Sequence, residues 1–251
     1  MKRYSIVFSP TGGTEKVVCA LTEKWGEVEQ IDLSDPSDDH AGVFLEGDDI
    51  AVIAMPSFGG VAPQLVLDRL LKIKGNGCRC SIVAVYGNRA YENTLVQMED
   101  YAVEAGFRVI AAVSAVAEHS ILHRFAAGRP DGEDCNELAR FGEKIIGKAM
   151  KGDVAKPKVP GERPYKQSGA LMIPKATSAC HVCGVCISKC PAGASSADDP
   201  KKTDRNKCIS CMRCVSICPS HARKVSGFMT AVAEAKLKKA CSGRKENELF
   251  L

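Results

Sequence analysis

The sequence predicts an α/β protein with a doubly wound, five-stranded parallel sheet, followed by a small α+β unit rich in cysteine. Apolar runs alternate with amphipathic stretches through residues 1–151, the pattern of a parallel sheet covered by helices. Eight of the 13 cysteines lie between positions 180 and 218. With 251 residues, of which 45% are hydrophobic, the chain can form two globular domains and is not disordered throughout.

Five apolar, β-branched runs are the expected strands of the first domain, which we place at residues 1–152. Their apolar character is continuous instead of alternating, which indicates strands buried on both faces. They occupy residues 4–8, 28–33, 50–55, 81–86 and 108–116. Amphipathic stretches between and after them are the expected helices, at 14–25, 63–74, 93–105 and 132–151. Right-handed crossovers would place these helices on both faces of the sheet.

The rest of the chain divides into three expected parts. Residues 153–176 are rich in proline and lysine and predict a basic linker. Residues 177–225 hold the cysteine block, and residues 226–251 form a tail with helical spacing and an apolar end that we expect to dock. Residues 1–152 carry 16 Lys and Arg against 22 Asp and Glu, a net charge of −6, whereas residues 153–251 carry 18 against 8, a net charge of +10.

The cysteine block consists of two copies of one motif. The first copy is C-x2-C-x2-C-x3-C-P, and the second follows at an offset of 28 residues. This spacing predicts two 4Fe–4S clusters, and in such runs the fourth cysteine binds the other cluster. The expected ligands are Cys180, Cys183, Cys186 and Cys218 for one cluster, and Cys208, Cys211, Cys214 and Cys190 for the other. The alternative is a pair of zinc sites, which typically use two separated C-x2-C pairs.

Three glycine-bearing loops follow expected strands, at residues 9–14, 55–63 and 86–93. The carboxyl ends of strands are where open α/β sheets bind ligands. The first loop carries hydroxyls and glycines and opens a helix, whose free N–H groups favour an anion such as phosphate. It matches neither the Walker loop nor G-x-G-x-x-G, so the ATP and NAD fingerprints are absent. The alternative is an ordinary helix-capping turn.

Together these motifs resemble two known families. The loops resemble the flavodoxin family, and the cysteine block resembles bacterial-type two-cluster ferredoxins, although ferredoxins of this type are usually acidic. Their succession in one chain resembles the flavodoxin–ferredoxin fusion proteins of anaerobic bacteria and archaea. The resemblance implies that FMN is bound, with its phosphate on Ser9, Thr11, Gly12, Gly13 and Thr14. It places the ring against Pro56, Ser57, Phe58, Gly59, Gly60, Tyr86, Gly87, Asn88, Arg89 and Tyr91, with Phe58 or Tyr91 as stacking candidates.

We therefore expect an electron-transfer protein that relays electrons between two 4Fe–4S clusters and FMN, coupling one-electron carriers to one- or two-electron partners. The alternative is an FMN-dependent reductase of a small organic acceptor, such as a quinone or nitro compound, fed through its own clusters. We predict no acid–base catalytic residue. The expected partners are redox proteins, a ferredoxin or an oxidoreductase, of acidic character because the C-terminal half is basic.

Other classes of function find little support in the sequence. No nucleic-acid-binding motif is present, and no apolar run reaches the ~18 residues that span a membrane. The apolar stretch near the N-terminus is too short for a signal peptide, so we expect a cytoplasmic protein. Among the remaining cysteines, we expect Cys19, Cys78, Cys80 and Cys135 to be small buried hydrophobic residues and Cys241 to lie in an exposed tail.

Overall fold

The computed structural model describes residues 1–166, 169, 172–196, 198–199 and 201–251. Five parallel strands form the centre of the first domain, in the spatial order β2-β1-β3-β4-β5. They are β1 (Arg3–Val7), β2 (Glu29–Asp32), β3 (Ile50–Pro56), β4 (Arg79–Tyr86) and β5 (Arg108–Val116). This is the flavodoxin-like order, which places a ligand site at the carboxyl ends of the strands, between β1 and β3.

Helices cover both faces of this sheet, as the continuous apolar strands predicted. One face packs on α1 (Gly13–Thr22) and α4 (Gly132–Met150), and the other on α2 (Gln64–Leu70) and α3 (Thr94–Glu104). Side chains 50 to 55 of β3 alternate between the two cores and are fully buried in both.

Helices α1 and α4 approach each other closely at Gly142. A Cβ atom at this position would lie 1.7 Å from the carbonyl oxygen of Leu21, so only glycine fits. The indole nitrogen of the buried Trp25 donates a 3.0 Å hydrogen bond to the Gly142 carbonyl. This contact fixes the distance between the two helices.

The sheet has a sixth strand that the sequence did not predict. Strand β8 (Glu248–Phe250) pairs antiparallel with β5, so the sheet is mixed instead of purely parallel. Its register places Leu249 opposite Val113. The expectation that the apolar terminus docks is correct, but a three-residue strand is too short to give a periodic signal. The docked terminus covers the edge of β5, which would otherwise present unpaired backbone groups.

In the cysteine-rich part, the described residues form a small two-stranded sheet and two single-turn helices. Strands β6 (Lys175–Ala176) and β7 (Arg223–Lys224) pair antiparallel and join the beginning of this part to its end. Between them lie α5 (Val185–Ser188) and α6 (Arg213–Ser216), one in each copy of the motif.

The expected linker, residues 153–176, contacts the first domain between residues 155 and 166, whereas its residues 175 and 176 form β6 of the cysteine-rich part. The guanidinium of Arg163 forms ion pairs with Asp100 at 2.6 Å and Glu99 at 3.1 Å, both on α3. Residues 167, 168, 170 and 171 of the expected linker, and residues 197 and 200 of the expected cysteine-rich domain, lie outside the described residues.

The tail returns to the first domain after helix α7 (Gly227–Leu237). Arg244 pairs with Asp131 at 2.6 Å, and the Asn247 side chain donates to Asp134 at 3.0 Å. Cys241 is buried beside Leu122 and Phe125, so the expectation of an exposed thiol was wrong.

The thiols outside the cysteine block differ in exposure. Cys19 is exposed and Cys135 is only partly buried, both contrary to the expectation of burial, while Cys78 and Cys80 are buried. Among the described residues, no helix has the length and apolar character that crossing a bilayer requires.

Candidate functional site

A cavity of about 410 Å³ lies at the carboxyl ends of the parallel strands, between the first domain, the cysteine-rich part and α7. We call it the interdomain cavity. Its volume falls in the range of ~300–1,000 Å³ that is usual for small-molecule sites. All three glycine-bearing loops contribute to its wall. The predicted residues that line it are Thr11, Gly13, Thr14, Pro56, Ser57, Phe58, Gly59, Tyr86, Gly87 and Arg89.

The first loop opens helix α1 at the cavity. Gly12 adopts φ +88°, a left-handed conformation that glycine tolerates, and the helix begins at Gly13. Ser9 is predicted to bind the ligand, but it lies outside the cavity lining and shapes the loop instead. Its hydroxyl accepts a hydrogen bond from the Glu15 N–H at 2.9 Å, and its own N–H donates to the Ser34 hydroxyl at 2.9 Å. The N–H groups at the start of α1 are suited to an anion.

Asn88 and Tyr91, also predicted to contact the ligand, lie outside the cavity lining and hold the tail. The buried Asn88 amide donates to the carbonyls of Cys241 at 2.8 Å and Gly243 at 2.9 Å. The Tyr91 hydroxyl donates to the Glu248 carboxylate at 2.7 Å. Tyr91 therefore supports the cavity from behind, with its ring edge-on to Tyr86 at a centroid distance of 5.3 Å.

Gly12 and Gly60 are the other predicted residues outside the cavity lining. A Cβ atom at Gly60 would lie 2.2 Å from a carboxylate oxygen of Glu92, and Gly60 also adopts φ +94°. Because Glu92 pairs with Arg89, which does line the cavity, Gly60 makes room for the ion pair that holds Arg89.

Other walls of the cavity are formed by residues outside the predicted flavin-binding set. They come from the loop after β5, from α7 and from the second cysteine motif. They include His119, Ile121, Leu122, Ile209, Ser210, Cys211, Ala233, Lys236 and Leu237. Cys211 is also a predicted cluster ligand, but no local pattern indicated that these residues reach the cavity, because they meet the glycine-bearing loops through long-range packing.

His119 is the titratable residue of this loop that packs most closely on the predicted site. A Cβ atom at Gly87 would lie 2.7 Å from the His119 Cβ. Burial lowers the pKa of His119, and its Nδ1 accepts from the backbone N–H groups of Ile121 and Leu122 at 3.2 and 3.3 Å. Accepting these bonds requires an unprotonated Nδ1, so His119 is a neutral, fixed part of the wall.

The eight clustered cysteines surround two separate cavities. Four thiols line one of them, and we call these the outer set: Cys180, Cys183, Cys186 and Cys218. Four line the other, and we call these the inner set: Cys190, Cys208, Cys211 and Cys214. The grouping is the one that the spacing predicts. Among the described residues, no three Cys, His, Asp or Glu side chains converge in the way that a single metal ion needs.

The two motif copies have the same local conformation. Val182 and Ser210, which are 28 residues apart, adopt φ +57° and +53°, and Gly184 and Met212 adopt φ +78° and +62°. The fourth cysteine of each copy accepts a 3.3 Å hydrogen bond from the backbone N–H four residues later. The duplication seen in the sequence is therefore also a duplication of backbone structure.

The two sets differ in exposure. Cys183 of the outer set is exposed, whereas its counterpart Cys211 is buried and also lines the interdomain cavity. Burial raises the pKa of Cys211 to about 11 and that of Cys214 to about 12. Thiols of this kind ionise at neutral pH when a metal binds them, because metal binding displaces the proton.

Arg223 is a buried cation at the outer set. Its side chain lines the outer cavity and is 2% exposed. One terminal nitrogen donates to the sulfur of Cys186 at 3.3 Å, and the other donates to the Thr203 hydroxyl at 2.7 Å. A guanidinium in this position stabilises negative charge on the sulfur.

A hydrogen bond and apolar packing of Cys211 in the core join the inner set to the first domain. Arg69 of α2 donates to the carbonyl oxygen of Pro191 at 2.8 Å, directly after Cys190. The same side chain donates to the carbonyl of Leu33 at the end of β2. The inner set is thus held at the same edge of the sheet as the interdomain cavity.

Residues 176–223 match the family model described as a 4Fe-4S dicluster domain. The chain joins a flavodoxin-like α/β domain to a 4Fe–4S dicluster segment. The α/β assignment depends on the observed strand order, and the predicted succession of a flavodoxin-like domain and a 4Fe–4S dicluster segment is confirmed.

Solved structures similar to the first domain include two flavodoxins. Oxidised flavodoxin 1 from Bacillus cereus is 17% identical with a TM-score of 0.43, over 59% of this chain and 98% of that chain. A flavodoxin from the domain Archaea is 16% identical with a TM-score of 0.42, over 60% and 99%. Rubredoxin oxygen:oxidoreductase from Desulfovibrio gigas is 18% identical with a TM-score of 0.44, over 61% of this chain and 37% of that chain. No curated protein sequence matches the chain.

The residues present fit both kinds of cofactor. Each cysteine set offers four thiols around one cavity, which is the donor set of a 4Fe–4S cluster. The interdomain cavity offers N–H groups at one end and apolar walls along its length. The buried Ser210 hydroxyl lines it and has no hydrogen-bond partner among the described residues, as expected of a group that bonds to a ligand.

Proposed function

We propose that this chain is an electron-transfer flavo-iron–sulfur protein that relays electrons between two 4Fe–4S clusters and FMN. The observation that carries this proposal is that Cys211, of the inner set, lines the same cavity as the three glycine-bearing loops. Each cluster would supply one-electron chemistry, and FMN would supply both one- and two-electron chemistry. The protein would thereby couple one-electron carriers to one- or two-electron partners.

The chain's residues divide the binding between them. The outer and inner sets would each hold one cluster through four thiolates. The start of α1, from Thr11 to Thr14, would hold the FMN phosphate, and the loops at Pro56–Gly59 and Tyr86–Arg89 would flank the ring. Phe58 lines the cavity and is the better stacking candidate, because the Tyr91 hydroxyl is bound to Glu248.

The exposure of the two cysteine sets indicates the order in which electrons would pass through them. The outer set reaches the surface through Cys183, and the inner set reaches the interdomain cavity through Cys211. An external carrier would therefore exchange electrons at the outer set, and the inner set would connect it to the flavin site. Helix α7 and the loop at residues 119–122 add walls to the cavity beside the glycine-bearing loops. The direct contact of Cys211 with this cavity favours the relay over the reduction of a small organic acceptor at the flavin.

The charge around the clusters supports an acidic protein partner. Residues 172–228 carry nine Lys and Arg against three Asp, a net charge of +6. Complementary charge accelerates the encounter of two redox proteins and orients them.

Anaerobic reconstitution followed by cofactor counting tests the proposal. We expect about eight irons and one FMN per chain. The Cys211→Ala variant should lose about half of the iron and keep FMN, and FMN reduction by a small one-electron donor should slow at least tenfold. Cys135→Ala, a cysteine of α4 remote from both sets in the sequence, is the matched control and should behave as wild type. Zinc in place of iron, or no bound flavin, would contradict the proposal, and rapid turnover of a quinone would favour the reductase.

A further inference from the structure

The two copies of the cysteine motif have the same backbone conformation, so the surroundings of their loops can be compared directly. In the second copy, the loop apex Ile209–Cys211 faces the interdomain cavity. In the first copy, the corresponding apex is His181–Cys183, and it has the same left-handed backbone at its central residue. Since the fold of the two loops is the same, the two apices stand in the same relation to their own cysteine sets.

The first apex faces solvent. His181 and Cys183 are exposed, and the Val182 side chain is 53% exposed. Valine is unfavourable at φ +57°, because its branched Cβ crowds the backbone, and here it gains little burial in return. Asparagine or glycine would adopt this left-handed conformation with less strain. An apolar, strained residue kept at the surface beside a cluster ligand indicates a contact with another molecule.

The β6–β7 strand pair carries positive charge beside the outer set. Strand β7 follows the last cysteine of the outer set, and Lys224 on it is paired in register with Lys175 of β6. Both lysines are exposed. The Thr177 N–H donates to the Ala222 carbonyl at 2.9 Å, which holds the β6–β7 pair beside the outer set. The surface therefore has a small apolar centre with a basic rim, a combination found in protein interfaces.

We propose that the apex His181–Cys183, with Lys175 and Lys224, is the docking surface for an acidic one-electron carrier protein. This inference rests on the proposed function and identifies where electrons are exchanged with the outside. One electron passes from the reduced carrier to the oxidised cluster of the outer set. The carrier is oxidised by one electron, the outer cluster is reduced by one, and no bond is formed or broken.

Two variants of the intact, reconstituted protein test this surface. Val182→Asn removes the apolar contact and suits the left-handed backbone, so its melting temperature should equal or exceed that of wild type. The double variant K175E/K224E reverses the charge of the rim. The control variants are Val154→Asn, another exposed valine, and Lys151→Glu, an exposed lysine at the end of α4.

The probe is an acidic two-cluster ferredoxin, with its affinity measured by calorimetry at low ionic strength and its electron transfer by stopped-flow absorbance. We expect K175E/K224E to weaken binding and slow transfer at least tenfold, and Val182→Asn to do so at least threefold. The controls should stay within twofold of wild type, and reduction of all variants by dithionite should be unchanged.

The binding and transfer measurements can overturn the assignment of this docking surface. Unchanged affinity in both test variants, equal losses in the controls, or no binding of ferredoxin to wild type would each overturn it. Concentration-dependent dimerisation that Val182→Asn abolishes would assign the surface to a second copy of the chain and overturn it as well. Failure of the proposed function is distinguishable, because it would appear earlier as missing iron or flavin in the wild-type protein.

Discussion

Replacing Arg223 by Gln should lower the reduction potential of the cluster at the outer set. The guanidinium is buried and donates to the Cys186 sulfur at 3.3 Å. Reduction adds one negative charge to the cluster, and a nearby buried cation stabilises that charge. Removing the cation therefore destabilises the reduced cluster more than the oxidised cluster.

The size of the shift follows from Coulomb's law. The added electron is spread over the cluster, so we take a separation of about 7 Å and an effective dielectric constant of about 20, which gives roughly 2.4 kcal/mol. At ~1.36 kcal/mol and ~59 mV per factor of ten for one electron, this corresponds to about 100 mV. Because neighbouring groups relax, we expect a fall of roughly 50–100 mV.

The assay is an anaerobic redox titration of each reconstituted variant, followed by EPR. Lys224→Gln is the matched control, because it removes the same charge from the next residue, whose side chain is exposed to solvent. Its cluster potentials should change by less than about 20 mV, since solvent screens exposed charges. Iron content shows whether Arg223→Gln still assembles its clusters, and Arg223→Lys serves if it does not. An unchanged potential in the assembled Arg223 variants would refute this electrostatic reasoning.

Three further predictions concern packing, pH and the flavin. Gly142→Ala should lower the free energy of unfolding by at least about 3 kcal/mol in chemical denaturation, because its Cβ would meet the Leu21 carbonyl; Gly147→Ala, with open space on the same helix, should be neutral or stabilising. Burial raises the pKa of Asp134, but hydrogen bonds from Arg129, Asp131 and Asn247 outweigh it, so the net pKa is lowered from 3.8. The stability that these bonds give is present above pH 3.8 and is lost as pH falls through the lowered pKa of Asp134. Hydrogen exchange in β8 should therefore accelerate in this acidic range and not near neutral pH. Ser210→Ala should weaken FMN binding about 3–10-fold in a fluorescence titration, whereas the exposed Ser216→Ala should not; equal affinities would show that Ser210 does not bond to the flavin.

Local patterns predicted most of the first domain. Strand β5 has the bounds that its apolar run indicates, and the other four parallel strands lie within three residues of theirs. Continuous apolar runs carry this information because each such strand is buried on both faces. The cysteine spacing likewise anticipated which four thiols surround each cavity, since short gaps force three of them onto one loop.

Long-range contacts could not be predicted in the same way. The partners of the Asn88 amide lie 153 and 155 residues later, so nothing near Asn88 indicates that it holds the tail. Similarly, Ser210 and Lys236 line the interdomain cavity only because the cysteine-rich part and α7 fold back over the first domain. Cys241 was misplaced for the same reason, because its polar sequence neighbours conceal the apolar pocket that Leu122 and Phe125 provide.

The proposed relay requires the inner set, and not the outer set, to adjoin the flavin site. Electron spin relaxation of the flavin EPR signal in the partly reduced protein shows which set is near, because a nearby reduced cluster accelerates that relaxation. We predict fast relaxation that persists in Cys183→Ser and disappears in Cys211→Ser. Fast relaxation that disappears in Cys183→Ser and persists in Cys211→Ser would contradict the proposed relay.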